Sequence, residues 1–139
     1  GAVIEPANLG VLMQCGIIEV EVNRLPKVGI LSTGNELFSH QTVSEQREFG
    51  TIPDVNGPVL CNLYKSYVNC NPRYLGIAKD DDEDKLAETL KQSMINDDVT
   101  ITTGGISMGE MDVIERVLTN KLGCKIHFGR LVSVCAIMY

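Results

Sequence analysis

The amino-acid sequence predicts an α/β fold in which a mostly parallel sheet is covered by helices on both faces. Three observations carry that prediction. From Lys27 onward, apolar runs of strand length alternate with amphipathic stretches of helix length, the pattern of right-handed strand–helix–strand crossovers. The run Lys27-Val28-Gly29-Ile30-Leu31 is continuously apolar after its lysine, as a parallel strand buried on both faces requires. The stretch Thr102-Thr103-Gly104-Gly105-Ile106-Ser107-Met108-Gly109-Glu110-Met111-Asp112 follows an apolar strand and opens a helix.

Each element has its own local cause. Residues 5–16 read as a short helix, with Pro6 at its start and Gly16 at its end. Ile18, Val20 and Val22 alternate with Glu19, Glu21 and Asn23, the period of a strand with one wet face, and Leu25-Pro26 breaks it. The first buried strand begins at Lys27, and the domain proper is placed at 27–139, with 1–26 as a leading segment. The polar, aperiodic stretch 39–51 reads as a surface loop. A helix is expected over 56–68 from the spacing of Leu60, Leu63, Tyr64 and Tyr67, and a second strand over 73–78. The helix expected over 82–95 turns Leu86, Leu90 and Met94 inward, and its acidic start, Asp80 to Asp84, suits the positive end of a helix dipole. A third strand over 99–102, a helix over 110–120 closed by Lys121-Leu122-Gly123, and a further strand over 124–128 complete the series.

Composition narrows the function. The 139 residues fit one domain with a sizeable core, and 44% apolar with 22% charged residues is ordinary for a globular chain. A net charge of −6 argues against nucleic acid as a partner, which would want a basic face. No apolar run approaches the roughly 18 residues of a membrane span, and the first residues carry no signal-peptide pattern, so a cytoplasmic location is expected. The five cysteines, Cys15, Cys61, Cys70, Cys124 and Cys135, form no CxxC pair and read as reduced, packed thiols. His40 falls in a polar loop, and His127 in an apolar strand as a core or edge residue.

In an open parallel sheet a ligand sits beyond the carboxyl ends of the strands. The first strand delivers Ser32-Thr33-Gly34-Asn35-Glu36-Leu37, the second Lys79-Asp80-Asp81, and the third the glycine loop. Two glycines let a backbone turn tightly and bring its N–H groups to an anion, and Thr102, Thr103 and Ser107 add hydroxyls. The same loop also reads as a plain helix N-terminus with acidic capping. Asp54, before Asn56 and Gly57, reads either as a helix cap or as a further acid of the site. Carboxylates around a donor-rich turn suit magnesium, which takes one or two acids and completes its shell with phosphate oxygens and water. No Walker A sequence, GxGxxG or Ser-His-Asp set is present.

The ordered segments Gly29 to Leu37, Asp54-Val55-Asn56, Leu75 to Asp80, Thr103 to Asp112 and Ile126 to Arg130 resemble the molybdopterin-binding domain of the MoeA and gephyrin family. Ser107-Met108-Gly109-Glu110 is similar to that branch rather than to the competence/damage-inducible type, and the leading segment is similar to the one that joins this domain to those before it. The resemblance implies a three-layer α/β/α fold and a part in molybdenum cofactor biosynthesis: adenylylated molybdopterin as substrate, molybdate and magnesium, and insertion of molybdenum. It implies Glu36, Asp54 and Asp80 as metal- and phosphate-organising acids, with Asp54 and Asp80 catalytic. It implies Thr33, Gly34, Asn35, Gly104, Gly105 and Ser107 as the lining of the pterin phosphate pocket, with Glu110 and Asp112 beside it. A homo-oligomer, dimer or trimer, is the implied assembly. Where the family continues past Arg130 with a Lys-Pro-Gly loop, this sequence reads Leu131 to Tyr139, so the domain is expected to be C-terminally incomplete and the enzyme assignment stays open. The alternative is a gephyrin-like scaffold that binds a receptor or cytoskeletal peptide.

Overall fold

The computed structural model describes residues 2–39, 41–42, 48–104 and 113–127. Its sheet holds three parallel strands in the order β4-β1-β5, where β1 is Lys27–Thr33, β4 Asn71–Ala78 and β5 Val99–Thr103. A separate parallel pair, β2 (Leu37–Phe38) and β3 (Ile52–Pro53), follows β1. The helices are α1 (Pro6–Gln14), α2 (Asn56–Leu63), α3 (Glu83–Asn96) and α4 (Val113–Arg116).

The central strand explains the layering. Beyond Lys27 every residue of β1 is buried, and the two-residue period of a strand sends neighbours to opposite faces. Leu31 joins Ala78, Leu86, Leu90, Ile114 and Val117 in a core under α3 and α4. Val28 and Ile30 join Cys70 in a second core, against which Leu60, Cys61 and Tyr64 of the α2 region pack. Helices therefore cover both faces, as the sequence predicts. The pairing of β1 with β4 carries one bulge: Ile30 faces Tyr74 and Leu31 faces Gly76, which leaves Leu75 as the extra residue.

Local chemistry sets the helix ends. Asp82 caps α3 by accepting the Lys85 N–H at 3.0 Å, with Glu83 and Asp84 in the first turn. α2 continues as a wider π turn over Tyr64–Val68 and stops at Asn69, which takes the left-handed conformation at φ 52°. α4 likewise widens over Val117–Lys121.

Several expectations need correction. Residues 18–23 are not a strand, and Ile18 is 94% exposed. Alternation marks two faces, but a strand also needs a neighbour's backbone, and among the described residues none pairs with this segment. For the same reason 124–127 form no strand, and His127 stands exposed at a bend; Phe128 lies outside the described residues. Met94 is exposed rather than inward, and Leu63 and Tyr67 are exposed as well. Cys15 is exposed rather than packed, because α1 buries none of its residues. Strands β2 and β3 escaped the sequence reading because two residues are too short to show a period.

Leu86 is fully buried at the centre of the larger core. Leu86→Ala is expected to cost about 2–5 kcal/mol, seen as a lower urea midpoint at unchanged slope.

Candidate site at the carboxyl edge of the sheet

Three parallel strands end at one edge, and their loops are tied there by short contacts. Pairing in register brings Ser32 opposite Thr103 and Thr33 opposite Ala78. Thr33 Oγ1 donates to the Thr103 carbonyl at 3.2 Å, and Gly34 N donates to the Ala78 carbonyl at 3.2 Å. Gly104 has φ 87°, and a Cβ there would run into the Thr33 carbonyl, so only glycine lets these two loops close on each other.

Between the first and second loops, Lys79 Nζ donates to the carbonyls of Asn35 and Leu37, both at 2.7 Å. Asp80 N donates to Asn35 Oδ1 at 2.9 Å. Asn35 thus spends its side-chain oxygen within the protein, holding the loop that carries Glu36 against the one that carries Asp80. Glu36 is exposed and folds its carboxylate back over Gly34, while Asp80 buries one carboxylate oxygen, Oδ1.

Asp54 is placed differently. It is 2% exposed, below the edge rather than on it. Its Oδ1 accepts the Gly57 N–H at 3.2 Å, as a helix cap does, and its Oδ2 accepts the Tyr74 phenol at 2.6 Å. Gly57 makes room for that phenol, since a Cβ there would overlap the Tyr74 ring and approach Ser32 Oγ at 2.8 Å. Burial, and then the bond to Asp54, push the Tyr74 phenol well above its ordinary value. Burial and the Asp54 charge likewise push the Cys61 thiol up.

Among the described residues, no three His, Cys, Asp or Glu side chains stand close enough to hold a metal together. Glu36, Asp54 and Asp80 are not gathered into such a group, and both Asp54 oxygens already accept hydrogen bonds, one from the Gly57 N–H and one from the Tyr74 phenol. Glu36 and Asp80 on adjacent loops fit a magnesium ion only if ligand phosphate and water supply the rest of its shell. Gly105, Ser107, Glu110 and Asp112 lie outside the described residues. The latch made by Lys79 and the Tyr74 contact escaped sequence reasoning: the lysine was visible beside Asp80, but nothing in the spacing shows that Tyr74 reaches Asp54. No helix among the described residues is long and apolar enough to cross a membrane.

A parallel α/β domain with a glycine-bearing, acid-flanked carboxyl edge belongs to the general class that binds anionic ligands there. Residues 29–132 match the family model described as "Probable molybdopterin binding domain", and the chain belongs to that family. It is 36% identical over 133 residues to a gephyrin of Dictyostelium discoideum, covering 90% of this chain and 18% of the relative. It is 35% identical over 124 residues to a molybdopterin molybdenumtransferase of a Nostoc species, covering 89% and 27%. Among solved structures, the molybdopterin biosynthesis moeA protein of Pyrococcus horikoshii aligns with a TM-score of 0.56 at 33% identity, covering 71% of this chain and 25% of that one. The chain spans only about a quarter or less of the length of these relatives.

Two outcomes follow from the geometry. In an alkaline absorbance titration one phenol is expected to ionise later than the rest, and Asp54→Asn to undo only part of that delay, because burial, the larger cause, remains. Because the folded-state value is the raised one, this contact stabilises the fold fully below the ordinary tyrosine pKa, and that contribution is lost as the pH climbs beyond it. Gly104→Ala is expected to destabilise by more than about 1 kcal/mol in denaturant melts, since the alanine meets both the positive φ and the Thr33 carbonyl.

Proposed function

We propose that the carboxyl edge binds the phosphate of molybdopterin or of its adenylylated form, and that the chain serves molybdenum insertion from molybdate in molybdenum cofactor biosynthesis. The observation that carries this reading is the convergence of the three loops, pinned by Lys79, Asn35 and Gly104, in a chain of the molybdopterin-binding family. The Gly34 amide and the Thr33 hydroxyl, bonded to the Ala78 and Thr103 carbonyls, shape the edge that a phosphate would approach, and Glu36 and Asp80 stand on two of the loops that border it. Magnesium, when bound with the ligand, would neutralise phosphate charge there. Asp54 would act from below by fixing Tyr74 and the start of α2, a positioning role in place of direct metal ligation.

The printed name of one relative, gephyrin, keeps a second reading in view, in which the chain is a scaffold module for a receptor or cytoskeletal peptide. One experiment separates the two. Anaerobic calorimetry with molybdopterin and magnesium is expected to show micromolar binding, weakened about tenfold or more by Glu36→Gln or Asp80→Asn. Asp54→Asn is expected to act mainly through lower thermal stability. A chain that ignores the pterin and captures a receptor-loop peptide would replace this reading with the scaffold.

A further inference from the structure

At the amino edge of the sheet, a cavity of about 620 Å³ opens between the segment entering β1, the start of β4 and the π turn that ends α2, within the range of small-molecule sites. Its charged lining is Arg24, Lys27 and Lys65, and no carboxylate lines it. The three cations differ in what they have left to give. Arg24 spends both terminal nitrogens on Asp98. The Lys27 and Lys65 ammonium groups enter no hydrogen bond or ion pair among the described residues. Lys27 is within electrostatic reach of Asp97 and Asp98, but each of those carboxylates already holds an arginine. Lys65 stands in the last turn of its helix, whose negative end offsets only about half an elementary charge. Two cations are thus left over at this edge of a chain whose net charge is −6. Asn69 and Asn71 add side-chain amides that make no hydrogen bond among the described residues.

We infer that this cavity binds a small organic dicarboxylate, with one carboxylate at Lys27, the other at Lys65, and the two asparagine amides donating to them. The lining does not favour phosphate. The devices that hold so dense a charge are a free guanidinium fork, free backbone N–H groups and a helix N-terminus. Here the Arg24 fork is closed on Asp98, the Lys27 and Asn71 N–H groups are bonded to Asp98 and to the Pro26 carbonyl, and the helix presents its negative end. Two ammonium point charges on separate elements suit two singly charged groups set apart. Leu25 and Pro72 offer apolar surface to the carbon chain between them. The site lies at the opposite edge from the glycine loops and does not rest on the pterin reading.

The test titrates succinate, glutarate and adipate into the chain while amide chemical shifts are followed, with butyrate and inorganic phosphate as controls. At least one diacid is expected to bind more tightly than either control and to shift Lys27 and residues 69–71. Its affinity should fall severalfold as ionic strength rises from about 0.01 M to about 0.15 M, because the lysines are exposed. Lys27→Met and Lys65→Met are each expected to weaken it about fivefold or more at an unchanged Tm, and Lys65→Arg to keep most of the affinity. Asn71→Ala provides an arm that leaves every charge in place and should weaken the diacid severalfold. The diacid of highest affinity reports the separation of the two ammonium groups. Binding of no diacid, phosphate bound as tightly as the best of them, shifts centred elsewhere, or affinity indifferent to both lysines overturns the inference, and does so whether or not molybdopterin binds at the glycine loops.

Discussion

Parallel pairing of β1 on both sides is the constraint from which the remaining features follow. A strand flanked by two neighbours and buried on both faces has no freedom in register, because a one-residue slip would exchange its two sets of side chains between the cores. Leu31 would leave the cluster around Leu86 and Leu90, and Ile30 would leave the one beneath α2. Fixing that register also fixes which residues end together at the carboxyl edge: Thr33 beside Ala78, and Ser32 beside Thr103. Burial of apolar area thereby positions polar chemistry that contributes little to stability itself.

The two edges of the sheet are fastened by different means. At the amino edge, Arg24 grips Asp98 with both terminal nitrogens at 2.6 Å, and Asp98 also accepts the Lys27 N–H. Those bonds hold the Asp98 carboxyl far below the usual carboxylate range, with Arg24 the largest cause. Arg73 pairs with Asp97, whose side chain is 2% exposed and which also accepts from Ser93. Burial pushes the Asp97 carboxyl up, but the bonds from Arg73 and Ser93 outweigh it and leave the value lowered. At the carboxyl edge lysine to carbonyl, threonine to carbonyl and backbone to asparagine are hydrogen bonds without an ion pair. Arg24 and Arg73 at the amino edge are paired with Asp98 and Asp97, whereas Lys79 at the carboxyl edge is spent on backbone carbonyls.

Much of this was legible beforehand, for identifiable reasons. Strand β1 was readable because its apolar run is unbroken, and α3 because Leu86 and Leu90 fall at helical spacing behind an acidic cap. The shared edge followed from strand–helix alternation alone. What periodicity could not show was pairing between distant residues. It made a strand of 18–23, with which no described residue pairs, and it missed β2 and β3, which exist only through each other. The fate of Asp54 was also hidden. Its two readings, cap and acid, differ by whether Tyr74 arrives overhead, and that depends on the absence of a side chain at Gly57, three positions along.

The central claim is that an anionic pterin is held where the three loops converge, and amide chemical-shift mapping with molybdopterin and magnesium addresses it most directly. The account predicts the largest shifts at Thr33, Gly34, Glu36, Asp80 and Gly104, with small ones at the amino edge around Lys27 and Asp98. Shifts centred on the amino edge, or none on saturation with the pterin, would contradict it.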